Sequence, residues 1–162
     1  MQGTLLPRGW SKADAVYTPD WCAADMVDWF KPEGRILEPA KGDGAFLRHL
    51  PAHTEWCEIE QGRDFFDCTV QYDWIMSNPP YSTLRPWLAH SFNVAENIVY
   101  LFPLKNFFSA HGQIMEVKNR GWIKHIRLYG TGSRLGFPMG NAIGAFHFLR
   151  GWHGDTSWSF AV

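Results

Sequence analysis

The stretch that most restricts the fold of this chain is residues 73–81, DWIMSNPPY, in which an apolar strand runs directly into two prolines. Proline has no N–H to donate to a sheet and cannot continue a helix, so the strand must end at Asn78. Polar groups at the end of a strand in an α/β sheet lie at the carboxyl edge, where such sheets bind ligands. We therefore expect the amide of Asn78 and the ring of Tyr81 to belong to a binding site.

The rest of the sequence alternates between helical and extended patterns. Thr18 and Pro19 are typical of an N-cap and a first helical residue, and the apolar run 97–104 is typical of a strand buried on both faces. This organisation predicts an α/β protein with a doubly wound, mostly parallel sheet, in a single domain over residues 1–162 with a loose segment 1–16 and a C-terminal tail 150–162. The patterns predict helices over 21–30, 46–50, 82–92 and 105–121, and strands over 35–38, 54–60, 73–78, 97–104, 123–129 and 142–149.

The loop after the first predicted strand contains two glycines and reads LEPAKGDGAF over residues 37–46. Gly42 and Gly44 allow positive φ and let the backbone approach a ligand closely. The spacing is not GxGxxG, and no lysine stands where a P-loop needs one, so phosphate binding is not indicated. A strand, a glycine loop and a helix in this order form the first half of a nucleotide-binding unit.

These two segments resemble the S-adenosylmethionine-dependent DNA adenine-N6 methyltransferases. Members of that family commonly carry a cofactor loop LEPSxGxGxF and a catalytic motif Asp/Asn/Ser-Pro-Pro-Tyr/Phe/Trp, and the resemblance extends over about residues 17–149. It implies a Rossmann-like class I methyltransferase fold, S-adenosylmethionine as cofactor, S-adenosylhomocysteine as product and methylation of adenine N6 in DNA. The two ligands would meet above the carboxyl ends of the first and fourth strands.

The catalytic motif suits the chemistry of an exocyclic amine, whose lone pair is delocalised into the purine ring. If the side-chain oxygen of Asn78 and the carbonyl of Pro79 each accept one N–H, the nitrogen is drawn towards tetrahedral geometry and can attack the sulfonium methyl in line. Positioning and oriented dipoles supply most of this catalysis, so no strong base is needed. The resemblance makes Asn78, Pro79, Pro80 and Tyr81 the catalytic residues, with the ring of Tyr81 stacked on the target base.

The resemblance also assigns a set of cofactor-binding residues. A Thr-Pro motif before the first strand would line the cofactor site, and an acid at the end of the second strand would hold both ribose hydroxyls, with Glu58 assigned and Glu60 as its competitor. The predicted cofactor-binding residues are Tyr17, Thr18, Pro19, Glu38, Ala40, Gly42, Gly44, Glu58, Asp64 and Phe65.

Two further assignments lie in less regular segments. Asp64 would accept a hydrogen bond from the adenine amine of the cofactor and Phe65 would pack nearby, but only residues 61–63 remain where relatives carry a helix. Asp67 is therefore the alternative to Asp64. A Phe-Pro pair before the last strong strand assigns Phe137 as a second substrate-binding ring, stacked on an extruded base.

Charge is distributed unevenly along the chain. Residues 1–104 hold 8 Lys/Arg and 14 Asp/Glu, a net −6, whereas residues 105–162 hold 7 and 2, a net +5. A polyanion would meet the basic C-terminal part, so the predicted partner is nucleic acid, with DNA as the first choice. Solvated surface charge explains the same numbers equally well.

Neither a metal site nor a membrane segment is predicted. The three cysteines lack CxxC spacing and the seven histidines lack paired spacing such as HxxxH. The N-terminus has no long apolar run and no segment approaches the length of a transmembrane helix, so a reducing cytoplasm is the expected setting.

The length leaves no room for a target-recognition domain, so the sequence predicts a minimal enzyme that suits a phage or a mobile element. Specificity would be low, would come from the loop 130–141, or would be supplied by a partner protein or a second copy. RNA methylation and protein-glutamine methylation remain alternatives, although the loop of those enzymes usually reads Asp-x-Gly-x-Gly. A catalytically idle subunit is a further alternative, which the shortened cofactor region favours and the intact Asn-Pro-Pro-Tyr opposes.

Overall fold

The computed structural model of this chain describes residues 16–161, so the predicted loose segment 1–16 lies almost entirely outside the described residues. None of the helices in this range is long and apolar enough to span a membrane. The elements, in chain order, are α1 (Asp20–Phe30), β1 (Ile36–Glu38), β2 (Glu55–Trp56), β3 (Tyr72–Ser77), α2 (Leu84–Val94), β4 (Ala95–Pro103), α3 (Leu104–Phe108), α4 (His111–Lys118), β5 (Gly121–Thr131), β6 (Ala142–Arg150) and β7 (Ser157–Phe160).

The described strands form one seven-stranded sheet in the order β2-β1-β3-β4-β6-β5-β7. Strand β6 runs antiparallel to β4 and β5, and all other neighbours pair in parallel. The prediction of a doubly wound, mostly parallel sheet is therefore confirmed. The carboxyl ends of β1, β2, β3 and β4 meet at one edge, as the position of the Asn-Pro-Pro motif requires.

Side-chain alternation along the central strands produces two apolar layers. In β4, Ile98 and Tyr100 face the layer that contains α2, α3 and α4, whereas Val99 and Leu101 face the layer that contains α1 and the turns of residues 42–50. All four are 0% exposed, and burial of each such side chain contributes about 1.5–3 kcal/mol. The apolar run in the sequence thus marks a strand covered on both faces.

Several predicted elements differ locally from the structure. Pro19, not Thr18, is the N-cap of α1, and the Pro19 carbonyl accepts the N–H groups of Cys22 and Ala23. The predicted helix 46–50 is a run of turns, because Pro51 follows at once and leaves no space for a stable helix. The predicted helix 105–121 is divided between α3 and α4.

The two ends of the sheet also depart from the prediction. The predicted strand 54–60 is reduced to β2 followed by a 3₁₀ turn, Ile59–Gln61, and no further strand forms before β3 in the described chain. The Asn-Pro-Pro motif follows the third strand of the described chain, whereas the resemblance placed it after the fourth. At the opposite edge β7 pairs with β5, so part of the predicted C-terminal tail belongs to the sheet.

Helix α1 is anchored to β5 by a polar network inside the α1 layer. Arg127 donates to both carboxylate oxygens of Asp25, at 2.7 and 2.9 Å, and the Tyr129 hydroxyl donates to the same group. Arg127 holds the pKa of Asp25 below its usual range, against the opposing effect of burial. The guanidinium also lies 4.2 Å from the centre of the Trp29 ring.

We expect Asp25→Ala to lower the free energy of unfolding by about 2–4 kcal/mol, because it leaves Arg127 and Tyr129 without their acceptor. The matched control is Asp28→Ala, which removes an exposed carboxylate from the same helix. Urea denaturation followed by circular dichroism measures both variants. An equal loss in the two would show that the network does not stabilise the fold.

Candidate functional site

A cavity of about 530 Å³ opens at the carboxyl edge of the sheet, above β1, β2 and β3. This volume lies within the range of small-molecule sites, about 300–1,000 Å³. Its lining residues come from four segments of the chain: Val16, Tyr17, Pro39, Ala40, Gly42, Glu58, Ile59, Glu60, Gln61, Asp64, Phe66, Asn78, Pro80, Thr83, Pro86 and Trp87.

The glycine loop and the end of β2 form one wall. The N–H of Gly42, a residue at φ 54°, donates to Oε2 of Glu58 at 2.8 Å. The other oxygen of Glu58 accepts from the N–H of Glu60 at 3.3 Å, which caps the 3₁₀ turn and holds the carboxylate in the wall. A Cβ at Gly42 would stand 3.6 Å from the exposed ring of Tyr17. The fold therefore brings Tyr17, Gly42 and Glu58 together, and both ribose candidates, Glu58 and Glu60, line the cavity.

Glu38 lies behind this wall and is 0% exposed. Its Oε1 accepts the Ala40 N–H at 2.9 Å, whereas Oε2 has no hydrogen-bond partner among residues 16–161. The hydroxyl of Ser77, at the end of the adjacent strand β3, is also 0% exposed and equally unpartnered. Burial raises the pKa of Glu38 to about 8, against the opposing effects of the Ser77 hydroxyl and the Ala40 N–H.

Asn78 presents an acceptor to the cavity in a defined orientation. Its Nδ2 donates to the carbonyl of Val16 at 2.8 Å, which directs Oδ1 the other way, and Oδ1 is buried with no hydrogen-bond partner in the described chain. An amide group fixed through its donor and open at its acceptor is preorganised to receive an N–H. Pro80 lines the same cavity, whereas Pro79 is buried beside it.

Tyr81 does not line the cavity in this structure. Its ring packs against the layer that contains α2, and its hydroxyl is buried without a hydrogen bond to the described residues. Burial raises the pKa of Tyr81, and the neighbouring Asn78 acts in the opposite direction. The phenol is therefore neutral and close to the amide.

The wall opposite the glycine loop is aromatic, but it uses Phe66 where the sequence predicted Phe65. Asp64 lines the cavity and its Oδ1 accepts the Phe66 N–H at 3.0 Å, capping the 3₁₀ turn of residues 65–67. Successive residues of such a turn point about 120° apart, so only one of two adjacent rings can face the cavity. Phe65 is 2% exposed and packs on Trp87, with 4.8 Å between the two ring centres. Asp67 lines a separate cavity.

Phe137 is also placed differently from the prediction. It is 6% exposed and belongs to the apolar layer of α1, with Met26 and Ile143. The Phe137 N–H donates to the Gly132 carbonyl, which closes the turn of residues 132–135 and directs the ring inwards. In this arrangement the ring offers no open face to a base. Thr18, Pro19 and Gly44 likewise do not line the cavity.

Sequence reasoning assigned no role to eight lining residues, of which Pro39 and Phe66 adjoin predicted site residues. Thr83, Pro86 and Trp87 follow the catalytic motif at helical spacing, so one face of the first turn of α2 points into the cavity. This helical spacing after the motif could have identified the three residues from the sequence. Val16, Ile59 and Gln61 carry no such signal, because their positions depend on turns that are set by packing.

The arginines of the basic C-terminal part serve internal contacts. Arg127 pairs with Asp25, Arg134 donates to the carbonyls of Tyr129 and Ala161, Arg120 donates to Asn93, and Arg150 donates to the Phe92 carbonyl. Within residues 16–161, no three His, Cys, Asp or Glu side chains form a group that could hold a metal ion.

No protein-family model matches this sequence, and no curated protein sequence matches it. Solved structures are similar at low identity. A modification subunit of a proposed type I restriction enzyme from Vibrio vulnificus gives a TM-score of 0.65 at 14% identity, over 86% of this chain and 45% of that chain. A protein from Listeria monocytogenes, proposed to be a class I S-adenosylmethionine-dependent methyltransferase, gives a TM-score of 0.64 at 11% identity. The match covers 94% of this chain and 68% of that chain.

A proposed RNA methyltransferase from Pyrococcus horikoshii gives a TM-score of 0.64 at 14% identity, over 88% of this chain and 90% of that chain. The chain thus spans less than half of the Vibrio subunit and nearly all of the Pyrococcus protein. At these identities the likeness shows the fold. This chain has the Rossmann-like fold of the class I methyltransferases.

Proposed function

We propose that the chain is an S-adenosylmethionine-dependent N-methyltransferase that acts on the N6 amine of adenine in DNA. The observation that carries this proposal concerns Asn78, which lines a cavity at the carboxyl edge of the sheet and whose Oδ1 has no hydrogen-bond partner among residues 16–161. An acceptor without a donor of its own suits a substrate that brings an N–H. The structures of restriction-modification subunits with the same fold support DNA as the substrate.

The residues around the cavity fit the cofactor. The carboxylate of Glu58 suits a pair of ribose hydroxyls, Phe66 and Trp87 offer aromatic surface to an adenine ring, and Asp64 offers an acceptor to its amine. Glu38, whose Oε2 has no hydrogen-bond partner among residues 16–161, is an acid next to this wall. An acid there suits the cationic amino-acid part of the cofactor. S-adenosylmethionine, when bound, would supply the methyl group on its sulfonium.

The protein's part in the reaction is to orient the amine. Oδ1 of Asn78 accepts one N–H, and a backbone carbonyl of the Asn-Pro-Pro segment, proposed as that of Pro79, accepts the other. Both acceptors are fixed in advance, by the Val16 carbonyl and by the prolines. Tyr81 would stack on the base only after its ring leaves the α2 layer, so we assign that step to substrate binding.

The partners follow from the same proposal. Sequence specificity would come from the loop 130–141, from a second copy or from a partner protein, as in a minimal enzyme of a phage or mobile element. Solved structures of this fold include a type I restriction-modification complex. With most C-terminal arginines in internal contacts, the attraction of nucleic acid would rest on the net +5 charge of residues 105–162 and on lysines such as Lys105.

The test is transfer of labelled methyl from S-adenosylmethionine to duplex DNA, single-stranded DNA, RNA and a protein lysate, with nucleoside analysis of the product. We expect N6-methyladenine in DNA. Label in RNA would favour the second candidate function, RNA methylation, which the match over 90% of the Pyrococcus protein supports. Label on protein glutamine would assign a third substrate, and cofactor binding without transfer to any acceptor would indicate an idle subunit.

A further inference from the structure

The residues at the ends of β1 and β3 form a buried polar pair whose protonation state the proposed chemistry leaves open. Glu38 and Ser77 end adjacent parallel strands, and both are 0% exposed. Oε2 of Glu38 and Oγ of Ser77 are each buried without a hydrogen-bond partner among residues 16–161. Ala40 and Asn78, which follow them, line the cavity. The pair therefore lies directly beneath the site.

The surroundings of Glu38 disfavour a negative charge. Burial is the main cause of its raised pKa, and Glu58 adds to it from the side of β2. Tyr100 of β4 lies close as well: its pKa is raised mainly by burial, and Glu38 adds to that shift. The cations nearest in the sequence are directed elsewhere. Arg35 pairs with Glu55, and the ammonium of Lys41 lies 4.1 Å from the centre of the Trp56 ring. A fully buried carboxyl without a cation keeps its proton.

We propose that Glu38 carries a proton in the ligand-free protein and releases it when a cationic ligand enters the cavity, so that ligand binding and proton release are coupled. This inference rests on the proposed function, which supplies the cation as the amino-acid part of S-adenosylmethionine. One proton passes from Glu38 to the buffer, and the carboxylate that remains offsets the positive charge of the ligand in the adjacent cavity. The Ser77 hydroxyl, which has a donor to spare, stabilises the carboxylate.

The coupling has a measurable size. A raised pKa of about 8 in the ligand-free protein means that, near pH 7, about one proton should be released per ligand bound. Between the pKa of Glu38 in the ligand-bound state and pH 8, the affinity for the cationic ligand should rise by roughly tenfold per pH unit. Adenosine has no cationic group at this pH, so its binding should release no proton.

The experiment is titration calorimetry of the full chain at pH 7 in two buffers that differ in ionisation enthalpy, with S-adenosylmethionine, S-adenosylhomocysteine and adenosine as ligands. The difference in heat between the buffers gives the number of protons released. We expect about one for the first two ligands, which carry an ammonium group, and none for adenosine. An equal release for adenosine, or no release with the cationic ligands, would overturn the proposal.

Two variants assign the proton to its residue. Glu38→Gln is isosteric and cannot ionise, so proton release should disappear and affinity should lose its dependence on pH. Asp43→Asn removes an exposed carboxylate from the same loop and should leave the proton count unchanged. Persistence of release in Glu38→Gln would show that another group is the source.

The outcome also separates this inference from the proposed function. Binding of S-adenosylmethionine without proton release would refute only the role of Glu38. If neither S-adenosylmethionine nor S-adenosylhomocysteine binds the wild-type chain, both the coupling and the proposed function fail.

Discussion

Asn78→Ala is expected to reduce methyl transfer by roughly 10²- to 10³-fold, the effect of removing one preorganised polar contact from a reacting centre. The loss should appear in kcat more than in KM for the cofactor, because Oδ1 faces the position proposed for the amine. The measurement is initial-rate transfer of labelled methyl to the best acceptor found for the wild-type chain. Cofactor affinity, measured by calorimetry, should change little.

A second variant separates the acceptor from the donor that holds it. Asn78→Asp retains an acceptor oxygen but cannot donate to the Val16 carbonyl, so we expect activity between that of the alanine variant and the wild type. Asn97→Ala is the matched control, since the Asn97 amide also donates to a backbone carbonyl, that of Asp73, but near the opposite end of the sheet. Wild-type rates in Asn78→Ala would remove this residue from the mechanism.

Glu38→Gln should stabilise the protein at alkaline pH by roughly 3–5 kcal/mol relative to the wild type. The sign follows from the direction of the shift. Burial raises the pKa of Glu38 from 4.5 to about 8, so the folded state holds the proton more tightly than the unfolded state. This contribution to stability is complete below pH 4.5, declines as pH rises and is lost above pH 8. The amide introduced by Glu38→Gln keeps the acceptor for Ala40 and gains a donor for Ser77.

Urea denaturation of both proteins at pH 4, 6, 8 and 9 checks this prediction. The difference in the free energy of unfolding should grow from pH 4 to pH 8 and then level off. A difference that is independent of pH would show that the pKa of Glu38 is the same in the folded and unfolded states, so that burial does not raise it. The exposed Asp43→Asn variant serves again as the control, since no such growth is expected for it.

Several of the predicted site residues that line the cavity lie in segments where glycine or proline restricts the backbone. Pro79 and Pro80 end β3 wherever the rest of the chain packs, and Gly42 lets the loop pass close to Tyr17 and Glu58. Their effect is local, so it can be read from the sequence. Strand β4 was equally clear, because nine residues of almost continuous apolar character allow few other placements.

The errors concern side chains whose direction depends on packing between distant segments. Phe65 and Phe66 are equivalent in the sequence, and only the phase of a three-residue turn decides which of them faces the cavity. Phe137 was assigned to a substrate and instead fills the layer of α1, because its turn closes on Gly132. Strand β7 was missed since its apolar side chains, Trp158 and Phe160, are exposed, while Ser157 and Ser159 bind His125.

The anchoring of α1 has a consequence for how this chain is made. Asp25 meets Arg127 102 residues later, a span that the ribosome needs roughly 5–20 s to synthesise. During that interval an 11-residue helix with Cys22, Ala23 and Met26 on its apolar side has no β5 to pack on, and a helix of this length is marginal by itself. Helix α1, the first helix of the described residues, is therefore one of the last elements to become stable, and folding of the nascent chain waits for β5 to emerge.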